Sequence, residues 1–157
     1  MESRAGKWCY NSQNNEMDLA RSVEAHKALA HPARQRLVAM LRDGELCVCQ
    51  LITVLELAAS TVSAHLTELK RPGLLLETKK GRFVMYRWSE EPAAKGLLSD
   101  LATRIARDPQ VVADAKLVRS LRRVGVEELC RVDRDLSRVG IRRPSRDGVG
   151  TDALGRH

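Results

Sequence analysis

The sequence predicts a mainly α-helical protein carrying one small β-hairpin, and three observations predict it. Apolar residues recur at three- and four-residue spacing along most of the 157-residue chain. Breakers punctuate that pattern at His31-Pro32, Asp43-Gly44, Pro72-Gly73 and Asp108-Pro109, cutting it into short helices. A single stretch, residues 74 to 88, places strand-favouring residues on both sides of a glycine turn.

Residues 1 to 17 form a polar arm around Trp8-Cys9-Tyr10. A first helix starts at Asp18, with Leu19, Val23 and Ala30 on its apolar side, and stops at His31-Pro32. Pro32 suits the first turn of a second helix, whose inward face is Leu37, Val38, Met40 and Leu41. After Asp43-Gly44 a short third helix runs from about Cys47 to Leu57, burying Leu51, Val54 and Leu55. Ser60 is a good cap for a fourth helix that continues to Arg71 and ends at Pro72-Gly73. Two short helices joined by a few residues are a helix-turn-helix, whose second helix fits a major groove.

The runs Leu74 to Lys79 and Arg82 to Trp88 flank Lys80-Gly81 and read as a hairpin, the wing of such a unit. Helix returns from Glu91, carrying Leu97, Leu98, Leu101 and Ile105, and again around Val111 to Val124. The organisation expected is an arm (1–17), a winged helix-turn-helix domain with dimer contacts (18–108), a helical extension (109–136) and a disordered basic tail (137–157).

A net charge of +7 favours an anionic partner. The excess is spread, with 13 Lys or Arg against 10 Asp or Glu up to residue 90 and 14 against 10 beyond it, so no single polybasic tail explains it. An aromatic content of 3% argues against a single-strand binder that stacks bases on exposed rings. No 18-residue apolar run and no signal-peptide order of residues are present, so a cytoplasmic protein without membrane contact is expected, with its four cysteines reduced.

Three segments carry a resemblance to a known family. Leu29-Ala30-His31-Pro32-Ala33-Arg34 is similar to a second-helix entry, Ser60-Thr61-Val62-Ser63-Ala64-His65-Leu66-Thr67-Glu68-Leu69 to a recognition helix, and Gly73-Leu74-Leu75 through Tyr86-Arg87 to a wing. With Glu45-Leu46-Cys47-Val48-Cys49-Gln50-Leu51, their order resembles the ArsR/SmtB family of winged-helix metal-responsive repressors over about residues 18 to 105. The resemblance implies a homodimer that binds operator DNA with inverted half-sites and leaves it when an inducer ion binds.

The residues support the DNA part independently. Ser60, Thr61, Ser63, Ala64, His65 and Thr67 are small or polar on the side opposite Val62, Leu66 and Leu69, where they approach base edges or phosphates. Lys70 and Arg71 at the helix end, with Lys79, Lys80 and Arg82 at the wing tip, are placed for phosphate contacts. Leu97, Leu98, Leu101 and Ile105 supply either the dimer interface or ordinary core; the pattern fits both.

Two cysteines one residue apart in mid-helix would point about 200° apart and could not share an ion. At a helix start the first residue has non-helical dihedrals, so Cys47 and Cys49 can cooperate there. The same location is expected to lower their thiol pKa through the positive end of the helix dipole. Thiolates select soft ions and not Mg²⁺ or Ca²⁺. Some arsenic-sensing members of the family place a third cysteine five residues after the first; here that position is Ile52. Cadmium- and lead-type members complete the site from the arm of the other protomer, which points to Cys9, with Cys130 the less favoured donor.

Cys9, Cys47 and Cys49 would suit As(III) or Sb(III), which take three sulfurs, whereas a fourth ligand would suit Cd²⁺, Pb²⁺ or Zn²⁺. The family's Asp and His zinc site has no counterpart, since residues 91 to 124 lack His. Two other readings compete. Reactive thiols also suit a redox-sensing winged-helix regulator. A thiol enzyme acting on arsenate would need a Cys-x-x-Cys pair, a phosphate-cradling loop or a nucleophile-base pair, and none is visible.

Overall fold

The computed structural model describes residues 16 to 144. Its elements are α1 (Leu19–Leu29), α2 (Pro32–Met40), β1 (Leu46–Cys47), α3 (Val48–Leu55), α4 (Ala59–Lys70), β2 (Leu75–Lys80), β3 (Phe83–Trp88), α5 (Pro92–Arg104), α6 (Pro109–Val124) and α7 (Val126–Arg131), closed by a 3₁₀ turn at Leu136–Val139. Helices α3 and α4 meet at 113°, the crossing of a helix-turn-helix. Among the described residues no single helix is long and apolar enough to cross a membrane.

Local signals set several ends of the first four helices. Asp18 caps α1 by accepting from the Arg21 N–H (2.8 Å), and His31 Nδ1 accepts from the Ala33 N–H (3.1 Å) ahead of Pro32. Helix α3 ends at Glu56, which adopts a left-handed conformation (φ 56°). Helix α4 begins one residue before the serine expected to cap it, with Ala58 at the cap and no side-chain hydrogen bond there.

The hairpin turns on Gly81 and Arg82, since Lys80 pairs with Phe83, and Gly81 takes φ +60°, a backbone conformation that glycine adopts without steric cost. The sheet has three strands in the order β1-β3-β2, all antiparallel, with Leu46 opposite Tyr86 and Cys47 opposite Met85. The two-residue β1 exists only through this pairing, which is why no local pattern announces it.

One apolar core unites the described chain. Leu37, Leu51, Leu66, Leu69, Leu74 and Leu98 are fully enclosed together with Leu121 and Leu129 of the C-terminal helices. The C-terminal helices therefore share the core of α1 to α5 instead of forming a separate layer. Arg36 donates to Asp114 through two nitrogens on one edge of its guanidinium, Nε to Oδ2 at 2.7 Å and Nη2 to Oδ1 at 2.9 Å, and so fastens α6 to α2.

Three expectations are corrected here. Leu19 (82% exposed) and Val23 (43%) do not form the inward face of α1; Ala25, Ala28 and Leu29 do, alongside Arg21. Arg21 is buried because its guanidinium donates to the Pro72 carbonyl (2.9 Å) and pairs with Glu91, which neutralises it. Leu98 lies at 0% exposure inside a single chain and has no surface to offer a second protomer, whereas Leu97, Leu101 and Ile105 are half-buried. Finally, structure continues past residue 137: Ile141 packs against the core, and Arg143 donates to the Thr53 carbonyl (2.7 Å). Residues 145 to 157, the remainder of the expected tail, and the arm up to residue 15 lie outside the described residues.

Candidate nucleic-acid interface and thiol site

Helix α4 is held by one face and open on the other. Val62, Leu66 and Leu69 recur at three- and four-residue spacing and are fully buried, which turns Ser60, Thr61, Ser63, Ala64 and Thr67 outward. His65 lies between, half-buried, its ring 4.4 Å from that of His31. Burial is the main cause that lowers its pKa, and the charges of His31 and Arg34 add to it. Arg34, whose Nε is buried without a hydrogen-bond partner, belongs to this corner and was not singled out by the sequence.

The basic residues divide into groups. Lys79 is exposed on β2. Arg71 pairs with Glu68 (3.1 Å), Lys70 with Glu77 (2.7 Å) and Lys80 with Glu45, all on the surface, where such pairs are weak and yield to a phosphate. Glu77 also accepts from the Tyr86 hydroxyl (2.7 Å), and these two donors hold its carboxyl below the ordinary range. Arg82 is exposed at the wing tip, lies over the Phe83 ring at 5.0 Å and also lines a cleft that contains two cysteines.

Those cysteines are Cys49 and Cys130. Cys47 is the last residue of β1 and the N-cap of α3, with extended dihedrals (φ −73°, ψ 147°), so it and Cys49 are not bound by helical angular spacing. Its N–H donates to the Gln50 carboxamide (2.9 Å), a cap that fixes the turn. Arg122 of α6 braces the loop ahead of it, donating to the carbonyls of Glu45 (3.0 Å) and Gly44 (3.1 Å). The Cys47 side chain is fully buried, and Cys49 is half-buried.

Helix α7 packs on α3 and places Cys130 near Cys49, close enough for the thiols of Cys47, Cys49 and Cys130 to influence one another's ionisation. Cys49 and Cys130 open onto a cleft of about 630 Å³, shared with Arg82 and Phe83 of the wing and Glu127 and Glu128 of α7. Among the described residues no three Cys, His, Asp or Glu side chains stand ready-arranged around an ion. Cys9 lies outside the described residues.

The expected lowering of thiol pKa does not occur at Cys47. Burial raises it, outweighing the amides of Cys49 and Val84 that favour the thiolate. Cys130 is pushed up to about 12, first by burial and then by the hydrogen bond and charge of Cys49. The position of Cys130 left no mark in the sequence, because it depends on how α6 and α7 fold back on α3.

A family model described as "Bacterial regulatory protein, arsR family" matches residues 31–75. The chain is similar to the arsenic resistance transcriptional regulator ArsR1 of Pseudomonas putida, 42% identical over 66 residues that cover 41% of this chain and 52% of that protein. It is also similar to the arsenical resistance operon repressor of Escherichia coli, 39% identical over 88 residues, covering 55% of this chain and 75% of the other. Among solved structures, HlyU from Vibrio cholerae matches with a TM-score of 0.52 and 34% identity, over 56% of this chain and 95% of that one.

Proposed function

The chain belongs to the ArsR family of bacterial winged-helix transcriptional regulators, and on that premise we propose that it is a repressor that holds operator DNA as a homodimer and releases it when As(III) binds. Sb(III), Cd²⁺, Pb²⁺ and Zn²⁺ are the competing inducers. The observation that carries the proposal is the place of the thiol pair: Cys47 and Cys49 form the turn that starts the first helix of the DNA-binding unit, and Cys47 is also paired to the wing strand at Met85.

The residues fit a soft ion. Thiolate donors favour such ions over Mg²⁺ or Ca²⁺, and an ion drawing on Cys47 pulls at once on α3 and β3. In the operator complex, the exposed row Ser60, Thr61, Ser63, Ala64 and Thr67 faces the groove, with His65 at its edge, while Lys70, Arg71, Lys79 and Lys80 meet phosphates. Arg82, exposed at the wing tip, is placed for a phosphate as well and also stands at the rim of the thiol cleft. Dimer contacts fall to Leu97, Leu101 and Ile105 and to the exposed Leu19 and Val23. Because ion and DNA bind competing states, each weakens the other equally, by a coupling of typically about 1 to 3 kcal/mol.

The test is operator release. A duplex selected from a randomised pool is titrated with wild type, Cys47→Ser and Cys49→Ser in the presence of arsenite, antimonite, Cd²⁺, Zn²⁺ or peroxide. Release by arsenite that is lost in both variants is expected. Release that survives Cys47→Ser removes the proposed site, and release by peroxide alone establishes the redox reading, which the shared cleft of Cys49 and Cys130 also favours.

A further inference from the structure

We infer that Cys130, on the short C-terminal helix α7, supplies the third sulfur of the inducer site, so that one chain holds As(III) through Cys47, Cys49 and Cys130. The inference rests on the reading of the thiol pair as an ion site and deepens it.

Three observations carry it. Helix α7 packs on α3, and the side chains of Cys49 and Cys130 open onto the same cleft, which has room for an arsenite molecule. Cys130 is also held in place, since its neighbour Leu129 is fully buried in the common core and accepts the Arg134 N–H at its carbonyl (2.9 Å). Position 52, where a local third thiol would stand, is an isoleucine packed against the core.

The chemistry balances without an oxidant. Arsenite, As(OH)₃, exchanges each As–O bond for an As–S bond; each thiol gives up its proton to the departing hydroxide, three waters leave, and arsenic stays trivalent. Cys49 and Cys130 are the accessible pair and bond first. Cys47 is buried behind the β1 to β3 pairing and must turn outward to complete the site. That last bond therefore works against the Cys47 to Met85 register and disturbs the wing. The C-terminal helix becomes the jaw that closes on the ion, with Arg82 and Phe83 at its rim.

The experiment uses the full chain. Arsenite and phenylarsine oxide, which has two exchangeable positions, are bound to wild type, Cys9→Ser and Cys130→Ser. The readouts are near-ultraviolet As–S absorption and the thiols lost per arsenic. Wild type and Cys9→Ser should lose three thiols to each arsenite. Cys130→Ser should lose two and bind arsenite at least about tenfold more weakly, and it should also take phenylarsine oxide more weakly than wild type, because its remaining pair includes the buried Cys47.

A second readout needs no substitution: bound arsenite should protect the Cys130 peptide of the wild type from alkylation. A third thiol lost through Cys9 and not Cys130, with the Cys130 peptide unprotected, overturns the inference and leaves the inducer reading standing. Thiol loss unchanged in Cys47→Ser and Cys49→Ser overturns the inducer reading itself.

Discussion

Lys80, the last residue of the outer wing strand, is ion-paired to Glu45, two positions before Cys47. The wing end and the thiol turn are thus tied by charge as well as by the β1 to β3 ladder. Both side chains are substantially exposed, at 56% and 32%, so the pair adds little stability. Glu45→Gln should change unfolding free energy by less than about 1 kcal/mol. It should also tighten operator binding with little change in its salt dependence, because Lys80 reaches the same phosphate without first leaving a carboxylate. Lys80→Ala removes that contact and should flatten the dependence on log salt by about one unit. A salt titration of Lys80→Ala with the same slope as wild type would show that Lys80 does not reach DNA.

The fastening of α6 to α2 predicts an asymmetry. Asp114 is 4% exposed and accepts from Gln110 (2.9 Å) as well as Arg36, whereas the Arg36 side chain keeps 20% exposure. Arg36→Ala leaves a buried carboxylate with one neutral donor and should cost about 3 kcal/mol, near the range for a broken buried pair. Asp114→Ala leaves a guanidinium that can reach water, and should cost less. Urea unfolding of the two variants checks the order.

Much of this architecture was legible because it is written locally. Val62, Leu66 and Leu69 announce α4 by spacing, and the glycine at 81 announces the wing turn. The inward face of α1 was not legible. Hydropathy selects Leu19 and Val23, but the alanines at 25 and 28 allow close packing, and Arg21 enters the interior through partners at Pro72 and Glu91 that no window around α1 contains. The thiol site divides the same way. The cap position of Cys47 follows from Asp43-Gly44, while the meeting of Cys49 with Cys130 depends on the core around Leu121 and Leu129. The exposed place of Arg82 at the wing tip is local, whereas its position at the rim of the cleft holding Cys49 and Cys130 depends on how α7 folds back on the wing.

His65 makes the fold sensitive to mild acid. Its folded pKa is lowered, by burial first and by the charges of His31 and Arg34 next. The unfolded chain therefore binds a proton more readily. The sign follows: this contribution is complete above the unfolded histidine value of about 6.5 and is lost as pH falls through the folded one. Glu77, also lowered, acts below the carboxylate range of about 4.5, so the two windows separate. Unfolding free energy measured by urea should fall over an interval that opens below about pH 6.5, and His65→Gln should flatten that interval while leaving the more acidic decline. An unchanged slope in His65→Gln would assign the interval to another group.

Burial of the thiols predicts their reactivity before any ion arrives. Cys47 is raised by burial, and Cys130 is pushed up to about 12, so both are protonated at neutral pH. Only the thiolate attacks an alkylating reagent, and its fraction grows about tenfold per pH unit below the pKa. In the native, ion-free chain, iodoacetamide should label the Cys47 and Cys130 peptides far more slowly than a free cysteine at pH 7.5, and the Cys130 rate should keep climbing through pH 10. Urea should abolish the difference by exposing both thiols. Peptide-resolved mass spectrometry reads each site separately, so a Cys130 that labels like free cysteine in the folded protein would mean that α7 does not seat its thiol against Cys49.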